Sequence, residues 1–237
     1  MSPFDSLKNL LFIDIETASV VADYEELPDR LKPLWDKKGK RFDKEATAAE
    51  SYFEWAPILA EFAKVITIGV GYFFKGEDDA LSFKVKAITH NDETAVLEEF
   101  KAMLEGKKRL KLVAHNGLEF DYPFLCRRML INGISLPKTL NILGAKSWEI
   151  KHLDTLHMWK FGEYRHYTSL ELLAALFNIE SSKSDLDGSQ VNTVYHRDQD
   201  LARIVKYCLQ DVIVTARVYL RMKSLPELQD EHIVWVD

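Results

Sequence analysis

Hydrophobic and polar residues follow two different periods along this chain, and the changes of period mark out its elements. Leu10, Leu11, Phe12, Ile13 and Ile15 form a short apolar run with β-branched and aromatic content, which predicts a buried strand interrupted by Asp14 and Glu16. From about residue 18 to 44 the pattern is lost, and Pro28, Pro33, Gly39 and many charges read as a surface insertion or lid. Helix-forming composition from 45 to 56 stops before Pro57. Val65 to Phe74 is a strong strand, Gly76 to Asp79 a turn and Leu81 to Ile88 a third strand, so an antiparallel meander is predicted.

Beyond residue 90 the period lengthens. Asn91 or Asp92 caps a helix carrying Val96, Leu97, Phe100 and Leu104 at helical spacing, and Gly106 ends it. Leu110 to Ala114 reads as a fourth strand, His115-Asn116-Gly117 as a loop, and about Glu119 to Ile131 as a helix closed by Asn132-Gly133. A fifth strand is predicted at His152 to Leu156, a helix capped by Thr168 or Ser169 runs to Phe177, and a long helix covers about Asp198 to Lys223. Three strands, then alternating helix and strand, then helices predict an α/β (α+β) fold with a mixed sheet. Without repeats or an interdomain linker, residues 1–237 read as one domain with an insertion or lid at about 18–60.

Composition narrows the setting. With 47% hydrophobic and 29% charged residues, no apolar run of transmembrane length and no signal-peptide pattern, the expectation is a cytoplasmic protein without membrane contact. Cys126 and Cys208 lie in apolar surroundings without metal or redox spacing and read as buried thiols of a reducing compartment. A net charge of −6 argues against a protein that coats nucleic acid through a large positive field. Local basic clusters can still hold phosphates: Lys107-Lys108-Arg109 with Lys111, Arg127-Arg128, and Lys37-Lys38 with Lys40-Arg41.

The acids within apolar elements carry the chemistry. Asp14 and Glu16, two apart on a strand, share a face. Two such carboxylates repel by roughly 4 kcal/mol at about 4 Å and an effective dielectric of about 20, a cost that a bound cation removes, as does a strand end reaching solvent. Asp121, at a strand-to-helix junction, is either a third site carboxylate or a first-turn acid favoured by the helix dipole. Tyr207 and Asp211, four apart, share one face of the last helix, whose neighbouring Ile204, Val205, Val212 and Val214 imply burial.

Taken together, Phe12-Ile13-Asp14-Ile15-Glu16-Thr17, Asn116-x-x-x-Phe120-Asp121 and Tyr207-x-x-x-Asp211 resemble, in order, the three motifs of the DEDD superfamily of 3'-5' exonucleases in its tyrosine subclass. The middle motif looks most like the proofreading domain of family B DNA polymerases, and the whole is most similar to predicted stand-alone bacterial exonucleases related to that domain. The resemblance implies a ribonuclease H-like fold with a mixed five-stranded sheet flanked by helices, its first three strands antiparallel and Asp14 and Glu16 on the central one. It implies an enzyme that hydrolyses phosphodiester bonds from the 3' end of single-stranded nucleic acid, DNA favoured and RNA also conceivable, releasing 5'-mononucleotides. Two divalent cations about 4 Å apart, Mg²⁺ or Mn²⁺ given oxygen ligands, are expected on Asp14, Glu16, Asp121 and Asp211, with Tyr207 orienting the attacking water. Thr17 and Phe120 are candidate substrate contacts; Asn116 either contacts the terminal nucleotide, positions Asp121 or satisfies its own backbone, and Lys183 either touches the phosphate backbone or belongs to a plain surface loop. A polymerase or repair protein is a candidate partner. Two alternatives keep the same residues: an exoribonuclease or oligonucleotide scavenger, and a nucleic-acid-binding module that has lost turnover.

His196 and Asp200 offer a competing pair, but the histidine subclass places its histidine five residues ahead, so Asp198 and Asp200 read as caps of the last helix. Tyr24, Trp35 and Trp55, in or near the insertion, are candidate stacking platforms for unpaired bases. His115, His152 and His157 have no metal-ligand spacing.

Overall fold

The computed structural model describes residues 3–76, 80–107, 109–163, 165, 167–180 and 186–236. A short helix, α1 (Pro3–Leu7), leads into β1 (Leu10–Ser19), in which every residue but Asp14 is buried. After α2 (Lys32–Gly39) and α3 (Ala48–Trp55) come β2 (Ala63–Lys75), β3 (Leu81–Ile88), α4 (Glu93–Glu105), β4 (Lys111–Ala114) and α5 (Asp121–Ile131). The chain continues through β5 (Leu153–Asp154), α6 (Thr155–Trp159), α7 (Leu170–Leu176), α8 (Val191–Thr193), α9 (Leu201–Met222) and β6 (Ile233–Val236).

The strands form one mixed sheet in the order β5-β4-β1-β2-β3-β6. β1–β2 and β2–β3 are antiparallel, whereas β1–β4, β4–β5 and β3–β6 are parallel. The sheet thus has six strands where the sequence predicts five. The extra strand, β6, is short and partly exposed, and only its pairing with Phe83 to Lys86 of β3 makes it a strand. β1 lies inside the sheet, between β4 and β2, while β2 is the middle strand of the antiparallel trio. The predicted turn at 76–79 falls mostly outside the described residues.

Period-two alternation on β1 decides the layers. Leu11, Ile13 and Ile15 join a core with Val96 and Phe100 of α4 and Phe124 and Met129 of α5. Leu10 and Phe12 face the other way, into a core with Leu209, Val212 and Ala216 of α9. Asp14 and Glu16 continue the Phe12 series, so parity alone turns both acids toward α9. Beneath them Phe12 packs edge-on against Phe73, Phe83 and Tyr219 at 5.4–5.7 Å.

β2 carries a glycine opposite Asp14, in the pair Asp14↔Gly69. A Cβ at Gly69 would lie 2.8 Å from Val212 Cγ2 and 3.0 Å from Cys208 Sγ, so the missing side chain is what lets α9 sit close to the sheet. Gly69→Ala is expected to cost about 1–3 kcal/mol, read as a lower urea midpoint at unchanged slope.

The polar stretch after β1 starts later than the sequence suggests, because Ala18 and Ser19 still pair with Lys64 and Ala63 of β2 and are fully buried. It packs its own small core of Leu27, Trp35, Tyr52, Ala56 and Phe62. Trp35 is therefore no stacking platform. It is fully buried, 5.0 Å from Phe62, and its indole N–H donates to Ala48 O. Trp55 stacks on Phe42, and the Tyr24 hydroxyl donates to Asp36. Arg128 likewise is not a surface cation: it is buried, donates from Nε and Nη2 to Glu93 and from Nη1 to Ala60 O, and so joins α5 and α4 to the segment entering β2. Cys126 and Cys208 are free and buried. Among the described residues no helix is long and apolar enough to cross a membrane.

Candidate active site

β4 pairs with β1 only as far as Phe12↔Val113. Past that point the chain leaves Ala114 through the 115–120 loop and begins α5 at Asp121, whose carboxylate accepts hydrogen bonds from its own N–H and from Ile15 N–H of β1. Asp121 is thereby fixed beside the strand residue that separates Asp14 from Glu16. From the other layer, α9 brings Tyr207 and Asp211, and the Tyr207 hydroxyl hydrogen-bonds to the Asp211 carboxylate. Three elements distant in sequence therefore meet at one cluster of four carboxylates and a phenol.

The electrostatics follow from burial and crowding. Asp14 is pushed well above the usual carboxylate range by burial and then by the charges of Glu16, Asp211 and Asp121. Glu16 is raised in the same way, by burial first and then by Asp211 and Asp121. Burial raises Asp121 to about 7, with the charge of Asp154 adding to it and the two backbone hydrogen bonds opposing it. The Tyr207 phenol is raised by burial and by Asp211, so it stays protonated. Asp14 Oδ2 is buried with no hydrogen-bond partner among the described residues.

An orphaned carboxylate oxygen within an acidic cluster is the arrangement a divalent cation would complete, and the donor set of carboxylate oxygens fits a hard cation. Cys208 sits next to this group: its Sγ and carboxylate oxygens of Asp14 and Glu16 lie within 4.8 Å of one another. Burial and the neighbouring acids push the thiol up, so it remains an S–H and donates to Asp14 O at 3.4 Å. The sequence reading of Cys208 as a buried thiol misses this position; its adjacency to Tyr207 was the available signal.

A cleft of about 250 Å³ opens onto Asp14, Tyr207 and Asp211, with His115, Tyr167 and Ser169 facing them. His115 Nε2 donates to Thr168 O, which leaves Nδ1 to accept from the Thr155 hydroxyl. Burial lowers its pKa, so the ring is a neutral wall and not a cation.

The other implied contacts are placed unequally. Asn116 has φ +65°, its N–H donates to Asp154, and its Oδ1 is buried with no partner among the described residues. The Thr17 hydroxyl is directed to Pro57 O at 2.7 Å, away from the cleft. Phe120 packs on Phe124. Lys183 lies outside the described residues. His196 contacts Ser19, and Asp200 caps α9 by accepting from Arg203 N–H, as the spacing argument expects.

Asp154, overlooked in the sequence, holds the loop together. It is 2% exposed and accepts from the N–H groups of Asn116, Leu118, Leu156 and His157. The argument that an acid in an apolar strand needs a partner applies to Leu153-Asp154 as it does to Asp14. Asp154→Asn places an amide donor against at least one of these N–H groups, which costs about 2 kcal/mol. It is expected to lower kcat about 10-fold to 100-fold with KM nearly unchanged, by analogy with ligand-supporting groups, measured by steady-state cleavage of a labelled strand.

No curated protein matches this chain. Among solved structures it is similar to the family B DNA polymerase from the hyperthermophilic archaeon Pyrobaculum calidifontis, with a TM-score of 0.51 and 17% identity. That likeness covers 90% of this chain and 24% of the polymerase, and it shows the fold, a ribonuclease H-like sheet flanked by helices. A family model described as "Predicted 3'-5' exonuclease related to the exonuclease domain of PolB" matches residues 58–232. The matched stretch contains Asp121, Asp154, Tyr207 and Asp211; Asp14 and Glu16 precede it and join the site through the pairing of β1 with β2. The chain belongs to this family of predicted 3'-5' exonucleases related to the PolB exonuclease domain.

Proposed function

We propose that the protein is a metal-dependent exonuclease of the tyrosine subclass that removes nucleotides from the 3' end of a single strand and releases 5'-monophosphates. The observation that carries this reading is the convergence of Asp14, Glu16, Asp121 and Asp211 with Tyr207, with Asp14 Oδ2 unpartnered. These four acids would hold divalent cations, Mg²⁺ or Mn²⁺. Such ions supply the positive charge that offsets the carboxylates and stabilises charge developing on the phosphodiester oxygens.

The chain's own groups do the rest. Tyr207 gives its proton to Asp211 in a hydrogen bond, so its oxygen is left to accept one from a water, which fixes that water at the edge of the cleft. Neutral His115 closes the opposite wall without competing for phosphate. Tyr167, 69% exposed on the cleft, offers a ring on which a terminal base can stack. The cleft is smaller than the roughly 300–1,000 Å³ of drug-sized sites, which suits one terminal nucleotide and not a paired end. DNA is favoured because the matching family is described as related to the exonuclease domain of PolB, and one similar solved structure is a family B DNA polymerase.

The test is a strand labelled at its 5' end, DNA and RNA in parallel, incubated with Mn²⁺, Mg²⁺ or chelator. Stepwise shortening from the 3' end that chelator abolishes is expected, faster on DNA. Folded protein that cleaves neither strand with either metal overturns the reading.

A further inference from the structure

A second cavity, of about 700 Å³, lies at the other end of β4 from the cleft. It is formed where α4 ends, where the chain enters β4 and β5, and along the 138–151 loop. The four residues of β4, about 3.3 Å each, separate it from the 115–120 loop that leads to Asp121 at the start of α5. Arg109, Lys138 and Lys151 line it together with Lys107, against two acids, Glu105 and Glu149. In a chain of net charge −6 this is a local excess of positive charge. Lys107 lies over the Tyr72 ring at 5.0 Å, while Arg109, Lys138 and Lys151 make no ion pair with any described carboxylate.

Arg109 adopts φ +69°, a left-handed conformation that costs a non-glycine residue about 1 kcal/mol or more. Between the charged groups the wall is mixed, with Leu110, Ile142 and Ile150 forming an apolar side and Thr139, Asn141 and His152 a polar one. On the same loop Trp148 is 77% exposed, with the Lys146 ammonium 5.2 Å from its ring. Cations without an ion-pair partner among the described residues, beside a wall that is apolar on one side and polar on the other, match a ligand with an anionic end and a flat body carrying a few polar groups.

We infer that this cavity binds a nucleotide unit of single-stranded nucleic acid at a distance from the cleft, its phosphate on Arg109, Lys138 and Lys151 and its base against the apolar wall or Trp148. The basic stretch containing Lys107 and Arg109 is then a strand-holding site and not a solvated face. The choice of a strand as the source of the nucleotide rests on the nuclease reading of the cleft; the anion site itself rests on the cavity.

The test is fluorescence anisotropy of a labelled 12-nucleotide strand with the full chain in chelator, where no turnover competes. The double variant Lys138→Gln with Lys151→Gln, both positions exposed, is compared with wild type after its circular dichroism is shown to be unchanged. Loss of two phosphate contacts is expected to weaken binding roughly 10-fold and to reduce the slope of log K against log salt by about 1.4, at about 0.7 per contact. Trp148→Ala is expected to weaken binding with the slope retained. An unlabelled mononucleotide serves as competitor. If it displaces the strand from wild type and the double variant no longer binds it, the cavity takes free nucleotide; if it does not compete, the strand is the ligand.

Wild-type affinity and slope in the double variant, or no binding of strand or mononucleotide by the wild type, overturns the inference. Cleavage with Mn²⁺ is scored separately, and its absence counts against the nuclease reading alone.

Discussion

Asp14→Ala is expected to reduce 3'-end cleavage by roughly 10³-fold, the scale of removing a preorganised charge-stabilising group, while leaving the fold intact. Asp14 is the acid that both opens onto the cleft and carries the orphaned Oδ2, and its pKa is raised by burial first and then by repulsion from Glu16, Asp211 and Asp121. Removing it takes away a carboxylate with an unpartnered buried oxygen and relieves the crowding of the other acids, so the metal-free variant should melt no lower than wild type. Asp211→Asn keeps a hydrogen-bonding partner for Tyr207 and removes one negative charge, so its loss of cleavage should be comparable. Tyr207→Phe is milder: all four acids remain and only the water-positioning hydroxyl goes, a loss of about 10²-fold in kcat with KM retained. Single-turnover cleavage beside thermal melts distinguishes these outcomes. Wild-type rates in the Asp14 and Asp211 variants would sink the assignment of the site, whatever the substrate.

A second large effect concerns stability without metal. Asp14, Glu16 and Asp121 all lie above their ordinary range in the fold, so the folded state binds more protons than the unfolded chain. The contribution of these protons is complete below the unfolded carboxylate values, near pH 4. It is lost as pH rises through the folded values, which for Asp121 means about 7. In chelator the unfolding free energy should therefore fall between about pH 5 and pH 8. For Asp121 alone, a rise from 3.8 to about 7 corresponds to on the order of 4 kcal/mol at about 1.36 kcal/mol per pH unit.

Asp121→Asn keeps an acceptor for Ile15 N–H and removes the charge, so it should flatten the pH dependence and exceed wild type in stability at pH 8. Mn²⁺ or Mg²⁺ at about 100 times its dissociation constant should return about 2.7 kcal/mol to the wild type and much less to the variant. Urea denaturation at several pH values, with and without metal, measures all of this. A metal-free stability that rises steadily from pH 5 to pH 8 would contradict the picture of a strained acidic cluster.

What could be read from the chain by itself was short-range. Parity along Phe12-Ile13-Asp14-Ile15-Glu16 put both acids on one strand face, helical spacing put Tyr207 and Asp211 on one helix face, and the caps at Ser169 and Asp200 are local hydrogen bonds. Each depends only on the period of the backbone or on residues a few positions apart. The remaining features depend on partners far away in sequence, which no local pattern encodes. Gly69 is one residue of a strong strand until α9 is laid across it, where its missing side chain makes the room. Arg128 reads as a surface cation until Glu93 and Ala60 O surround it, and Trp35 as an available ring until Tyr52 and Phe62 close over it. Asp154 becomes the anchor of the 115–118 loop only because β5 pairs with β4 and carries the carboxylate up to those N–H groups. The residue types and their faces were thus set locally, whereas the meeting of β1, α5 and α9 and the desolvation that raises the pKa values of Asp14, Glu16 and Asp121 were decided by tertiary packing, since burial and charge proximity exist only once distant segments exclude water together.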